Sequence, residues 1–213
     1  PDIIVSDIMM PVMNGIRMCK MLKEDVRTSH IPVILLTAKD SLQDKEEGYQ
    51  VGADSYLTKP FSATLLHSRI NNLLESRKRL TERFNTSTPH HNMDEKRALL
   101  AESLNKLDNE FIEKINQLIE ARLSSEKIDI GYLADNMCMS KSTLYRKMKA
   151  LTGLSTNEYV RKIKMQYAER LLLEGRYNVS EIAFKVGLNS VVYFRQCFKE
   201  EFGVLPSEYL KQS

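Results

Sequence analysis

Residues 182–210 read IAFKVGLNSVVYFRQCFKEEFGVLPSEYL, and residues 133–160 read LADNMCMSKSTLYRKMKALTGLSTNEYV. The two stretches are copies at an offset of 50 residues: Ser140, Leu144, Lys149, Gly153, Glu158 and Tyr159 return as Ser190, Phe194, Lys199, Gly203, Glu208 and Tyr209. Met148 matches Phe198. Upstream, Leu133-Ala134 matches Ile182-Ala183 at an offset of 49, so the second copy holds one more residue in its turn. Two copies are too few for a solenoid, and the repeat is a duplicated unit. In each copy a short helix carrying a small alanine leads through a tight turn to a second helix, starting at Ser140 or Ser190. Asn178 followed by Glu181 has the spacing of a capping box, and Gly187 marks the turn of the second copy. Two closely crossing helices in this order form a helix-turn-helix, whose second helix enters the major groove of DNA.

Helical spacing sorts the side chains of those second helices. Leu144 and Met148, and likewise Phe194 and Phe198, point inward at a spacing of four. Ser142, Tyr145, Arg146 and Lys149 face elsewhere. In the second copy Val191, Val192, Arg195 and Lys199 turn outward, with Gln196 at the margin. Arginine pairs bidentately with guanine, glutamine with adenine, and apolar groups meet thymine methyls. Lysine suits phosphates, which position without specifying. Taken singly, each is an ordinary exposed residue; two successive exposed valines at a helix start are less ordinary. The connecting helix, from about Thr156 to Glu174, buries Val160, Ile163, Tyr167 and Leu171. A stiff connector would set the separation of two reading heads, and successive major grooves lie about 34 Å apart. From Lys141 to Arg170 there are eight basic residues against Glu158 and Glu169, on a chain of net charge +3. That local excess predicts a polyanionic partner.

The stretch from about Asn109 to Lys211 resembles the AraC family of DNA-binding domains, with Leu188 where that family usually has Phe. The resemblance implies seven helices, two helix-turn-helix units and control of transcription. By position it puts base contacts on Ser142, Tyr145 and Arg146, then on Val191, Val192, Arg195 and Gln196.

The first part of the chain is written differently. Ile3-Ile4-Val5, Ile31 to Leu36 and Ser55-Tyr56-Leu57 are short apolar runs without alternation, which predicts parallel strands buried on both faces. Helical patterns at Ile16 to Glu24 and Leu42 to Val51 lie between them, so this part is α/β. A last helix starts after Ser62 as N-cap, with Leu66, Ile70, Leu73 and Leu80 along one side. Asp7, Thr37 and Lys59 each close a strand, and strand C-termini of an open parallel sheet converge on one edge. A carboxylate, a hydroxyl and an ammonium gathered there suit a phosphoryl group: the Asp attacks phosphorus, and the other two hold the oxygens.

The pieces PDIIVSDIMMPVMNG, VILLTAKD and GADSYLTKPF resemble the receiver domain of two-component response regulators. The resemblance implies Asp7 as phosphoacceptor, Thr37 and Lys59 as its catalytic partners, and Thr37 and Tyr56 as switch residues. It also implies a cis bond before Pro60 and a magnesium site formed by Asp7 and the Met9 carbonyl. A receiver of that family opens with a strand ending in paired acids. That strand does not stand in this sequence, which starts at Pro1, so a piece of a longer protein is expected. Strands three, four and five of the order 2-1-3-4-5 remain, the first of them as an apolar edge that recruits another chain. Magnesium binding is expected to be weak or absent in the fragment.

With 213 residues, 42% hydrophobic and 28% charged, the chain is ordinary for a globular protein of one large or two small domains. No apolar run approaches the roughly 20 residues of a membrane span, and no secretory signal is visible. The three cysteines are too far apart for a metal site and are expected as buried thiols. The expected architecture is a truncated flavodoxin-like receiver at 1–83, a linker at 84–107 and an all-α DNA-binding domain at 108–213. The expected function is sequence-specific transcription regulation in a two-component phosphorelay, controlled in the intact parent by Asp7 phosphorylation, in the cytoplasm. The partners are double-stranded DNA, a histidine kinase of the same or another chain, and a second copy in a homodimer; no membrane contact is expected. The alternative is a DNA-binding protein indifferent to phosphate, whose partial receiver only self-associates. An aspartate phosphatase would carry a second Asp two residues after the nucleophile, where Met9 stands, and the chain is not expected to be an enzyme.

Overall fold

The computed structural model describes residues 1–38, 51–85, 105–123 and 128–212. In the first half, β1 (Ile4–Asp7), β2 (Val33–Thr37) and β3 (Ser55–Thr58) form one parallel sheet in the order β1-β2-β3. The register pairs Asp7 with Leu36 and Thr37 with Thr58, so the strand ends stand side by side. Helix α1 (Gly15–Glu24) is capped by Asn14, which accepts from the Arg17 amide at 2.7 Å. Its Ile16 and Cys19 pack with Val33, Leu35 and Tyr56 into one apolar core. Asp54 ties the layers together, accepting from Val33 N at 2.8 Å and from Lys23 of α1 at 2.7 Å. The expectation of strands buried on both faces is met by β2 and β3 and not by β1, whose Val5 is 38% exposed. The cause is position: among the described residues β1 has a strand neighbour on one side only. The helix expected from Leu42 falls, up to residue 50, outside the described residues.

Helix α2 (Ala63–Asn85) starts as expected at Ser62, whose hydroxyl accepts from Leu65 N at 3.2 Å. Its Leu66, Ile70 and Leu73 are only half-buried, and the side chain of Leu80 lies outside the described residues. The helix runs on through Thr81 to Asn85, and the next begins at Lys106, so both ends of the 84–107 stretch are helical. Residues 86–104, including His90 and His91, lie outside the described residues.

Among the described residues seven helices follow: α3 (Lys106–Glu120), α4 (Ile130–Asn136), α5 (Lys141–Thr152), α6 (Thr156–Leu173), α7 (Val179–Lys185), α8 (Val191–Phe202) and α9 (Pro206–Gln212). The duplication is visible in the backbone. Ser140 and Ser190 both cap the second helix of their unit, and Gly153 and Gly203 both end it in the left-handed conformation. In both turns the chain bonds back to the small alanine: Met139 N to Ala134 O at 3.0 Å, and Leu188 N to Ala183 O at 2.9 Å. The capping box at Asn178 and Glu181 is present, and a second one at Ser155 and Glu158 starts α6.

Helix α6 serves two cores. Tyr159 and Ile163 join Phe111, Ile115, Leu133, Leu144 and Met148 in the first. Met165, Ala168, Leu171 and Leu172 join Ile182, Ala183, Phe194 and Phe198 in the second. The halves of the chain also touch. Val26 packs against the first helical core, and Ser29 bonds to Asp108 of α3 at 2.7 Å. A linker implies few contacts across it; here the contact is buried and specific.

Candidate functional site

Two groups of residues stand apart from the packing. The first is at the C-terminal edge of the sheet. Lys59 Nζ donates to Asp7 Oδ2 at 2.7 Å, with both side chains about two-fifths exposed, at 41% and 40%. Thr37, buried at 4%, ends the neighbouring strand, and its carbonyl accepts from Lys59 N at 2.7 Å. The Lys59–Pro60 bond is cis. The sheet therefore brings Asp7, Thr37 and Lys59 to one edge, while Tyr56 is buried in the core of this half. An ion pair this exposed contributes at most about 1 kcal/mol to stability. The pair holds an ammonium directly beside the Asp7 carboxylate.

The start of α1 approaches this edge closely. A Cβ on Gly15 would lie 2.2 Å from the Asp7 carbonyl oxygen, so only glycine fits. The intervening loop turns through Val12, at a φ of 71°, and exposes Met9. Among the described residues no group of three His, Cys, Asp or Glu side chains is gathered as for a metal ion. Asp7 and the Met9 carbonyl would give magnesium two of the six oxygens it wants. These residues do not by themselves make that site.

The second group lies on α5 and α8. Ser142, Tyr145, Arg146 and Lys149 are exposed on α5, and Val192, Arg195, Gln196 and Lys199 on α8. Val192 is 76% exposed although apolar, which packing does not explain. Val191 differs: it is half-buried against the second core, because it starts the helix above Leu188 and Phe194. Some polar heads are steadied within their own helix. Arg146 Nε donates to the Ser142 carbonyl at 3.3 Å, and Gln196 Nε2 to Glu200 Oε1 at 3.1 Å.

The basic excess is smaller than it looks in the sequence. Of the eight basic residues from Lys141 to Arg170, Lys147, Lys162 and Lys164 are buried. Lys162 pairs with Glu201 at 3.3 Å, and Lys164 donates to the Gly187 carbonyl at 3.4 Å. Burial pulls the Lys164 and Lys147 ammonium groups below their usual range, with Asp108 opposing that at Lys147. Lys141, Arg146, Lys149, Arg161 and Arg170 remain at the surface. Tyr193, 46% exposed on the first turn of α8, was not expected among the outward residues. Its place three residues after the Ser190 cap is the signal that marks it. Cys138 is also exposed, in the turn before α5 at a φ of 52°, where the second copy has Gly187; Cys19 and Cys197 are buried as expected.

Residues 1–71 match the family described as response regulator receiver domain, and residues 133–212 match one described as helix-turn-helix domain. Over 209 residues, 98% of this chain, the sequence is 36% identical to a protein named Histidine kinase P4 from Formosa agariphila, covering 15% of that protein. It is 43% identical over 82 residues to the DNA-binding dual master transcriptional regulator RpaA of Synechocystis, covering 38% of this chain and 34% of that one. The chain thus spans well under two thirds of these relatives. Among solved structures, the C-terminal domain of AraT, a response regulator from Geobacillus stearothermophilus, aligns at a TM-score of 0.45 and 29% identity, over 48% of this chain and 85% of that one.

Proposed function

We propose that this chain, which joins a response regulator receiver segment to an AraC-type helix-turn-helix DNA-binding domain, regulates transcription as the output end of a two-component phosphorelay. The observation that carries the reading is the pair of exposed reading helices, α5 and α8, built on one shared connector, α6. The receiver segment is 1–83, the linker 84–107 and the DNA-binding domain 108–213. Arg146 and Arg195 read bases, with Ser142, Tyr145, Val192 and Gln196 beside them and Val191 at the edge of the contact. Lys149 and Lys199 hold phosphates. Double-stranded DNA is the partner of this half, and a homodimer would present paired half-sites.

In the receiver segment an Asp7 carboxylate oxygen attacks the phosphorus of a phosphohistidine on the partner kinase. The new O–P bond forms as the N–P bond breaks, and the imidazole leaves with its electron pair. Lys59 moves from the carboxylate to the phosphoryl oxygens, joined by the Thr37 hydroxyl, and Tyr56 answers the change in charge. Asp7 and the Met9 carbonyl would offer magnesium two of its oxygen ligands, and the ion would supply positive charge beside the transferring group. The alignment of 98% of this chain to 15% of a longer protein named as a histidine kinase supports a parent in which kinase and regulator share one chain. No helix among the described residues is long and apolar enough to cross a membrane, which suits a cytoplasmic segment.

The exposed edge of β1 favours a second reading, in which this half serves only for self-association and DNA binding ignores phosphate. One experiment separates them: label the chain with a small phosphodonor and titrate DNA before and after. In the leading reading Asp7→Asn abolishes labelling. Arg146→Ala and Arg195→Ala each cost about 1–3 kcal/mol at the contacted base pair. Full operator discrimination in both arginine variants would refute the placement of the reading helices. Labelling of Asp7 that leaves DNA affinity unchanged would favour the second reading.

A further inference from the structure

We propose that the turn from Asp25 to His30 is a docking element of the receiver segment, seated on the DNA-binding domain through Lys147 and Asp108, and that it fixes the first reading helix relative to the sheet. The proposal rests on contacts within one chain and does not require phosphorylation of Asp7.

The repeat exposes the feature. At the offset of 50, Lys147 corresponds to Cys197, which is buried in the second core. The same inward position in the first unit holds a lysine with no solvent exposure at all. A buried ammonium is strongly destabilising unless its N–H groups and charge are matched. All three donors of Lys147 are matched, and two of the acceptors come from the other half of the chain. It donates to Asp108 Oδ1 at 2.5 Å, to the Val26 carbonyl at 2.5 Å and to Ser29 Oγ at 2.9 Å. Asp108, 2% exposed, is shared in the same way. Its Oδ1 also accepts from Ser29 Oγ at 2.7 Å, and its Oδ2 from Asn105 Nδ2 at 2.8 Å. Asn105 Nδ2 further reaches the Ser29 carbonyl at 3.2 Å.

The turn is shaped to present these groups. Thr28 N and Ser29 N both bond to the Asp25 carbonyl, at 2.9 and 2.8 Å, and Ile31 N bonds to Thr28 O at 2.9 Å. Without the turn in place, Lys147 would keep Asp108 alone and two of its N–H groups would lose their acceptors. The second unit has the smaller Cys197 there, buried in its own core, and needs no such cover. Among the described residues, it is the first reading head that this turn of the receiver segment holds.

Docking leaves the reading face free. Lys147 points inward between Arg146 and Met148, while Ser142, Arg146 and Lys149 stay exposed and Tyr145 is 49% exposed. The contact positions α5 rather than masking it. Helix α1 joins the two sites: it starts at Gly15 against the Asp7 carbonyl and ends at Glu24, one residue before the docked turn. Ten helical residues span about 15 Å as a stiff rod. That this rod carries a signal rests on the reading of Asp7 as phosphoacceptor; the docking does not.

Hydrogen exchange on the intact chain, without phosphodonor, tests the docking across the two halves. Ser29→Trp should speed amide exchange about tenfold in the peptide over Lys106–Ile112, and Lys147→Met should do the same over Asp25–Ile31. Exchange over Phe194–Phe198 should not change in either. If the tryptophan also exposes Val33–Thr37, Ser29→Ala is read instead, with an expected rise of about threefold over Lys106–Ile112. Exchange changes confined to the half that carries the substitution would overturn the proposal, whatever the outcome of DNA or phosphorylation assays.

Discussion

Acidification should loosen this protein through one histidine. His30 is 8% exposed, at the end of the docked turn, and its Nδ1 has no hydrogen-bond partner among the described residues. Burial, then the nearby Lys147, with Arg77 and Lys23 adding and Asp108 opposing, lower its pKa from 6.5 to about 4. Because the folded value lies below the unfolded one, the unfolded chain binds more protons between them. Stability is therefore complete above pH 6.5, falls as the pH drops through that value, and stops falling below about 4. Between pH 7.5 and 5 the loss integrates to about 2 kcal/mol in the unit that unfolds with His30. The interval stays above the range where carboxylates such as Asp25, lowered by its hydrogen bond from Arg27, begin to lose charge. Urea midpoints followed by circular dichroism at half-unit pH steps, for the wild type and His30→Gln, measure it. The expected result is a sloping wild type and a variant flatter by about 2 kcal/mol over that interval. Equal slopes would refute the assignment of a neutral, desolvated imidazole to this site.

Two further outcomes follow from packing. Phe198 is fully buried, with ring centroids of Phe202, Tyr209 and Phe194 at 4.5, 5.7 and 5.9 Å. Phe198→Ala should cost about 3–5 kcal/mol, and footprinting should show loss of the half-site read by α8 with that of α5 kept. Loss of both half-sites together would show that the two cores do not act separately. Gly15→Ala forces a Cβ to within 2.2 Å of the Asp7 carbonyl, and should lower stability by about 1–3 kcal/mol and slow labelling of Asp7; an unchanged melting temperature and labelling rate would mean that the approach relaxes freely.

Much of the architecture was legible because it is written locally. The offset of 50 carried the caps at Ser140 and Ser190 and the left-handed ends at Gly153 and Gly203, which depend on residues within a turn or two. Helix phase separated Leu144 and Met148 from Tyr145 and Arg146 for the same reason. Strand ends at Asp7 and Thr37 were visible as the last residues of apolar runs, and parallel register then brings them together. Periodicity names a face without saying what covers it. Three basic residues between Lys141 and Arg170 turned inward, two of them because α6 is wrapped by two cores. Val191 turned half inward because a helix start above a core is not a free end. The partners of Lys147 lie 39, 118 and 121 residues away in the chain. Local spacing cannot match a lysine on one helix to a carbonyl in a turn of the other half. Only chain folding decides which buried charge is satisfied and by what, because that depends on two surfaces excluding water together.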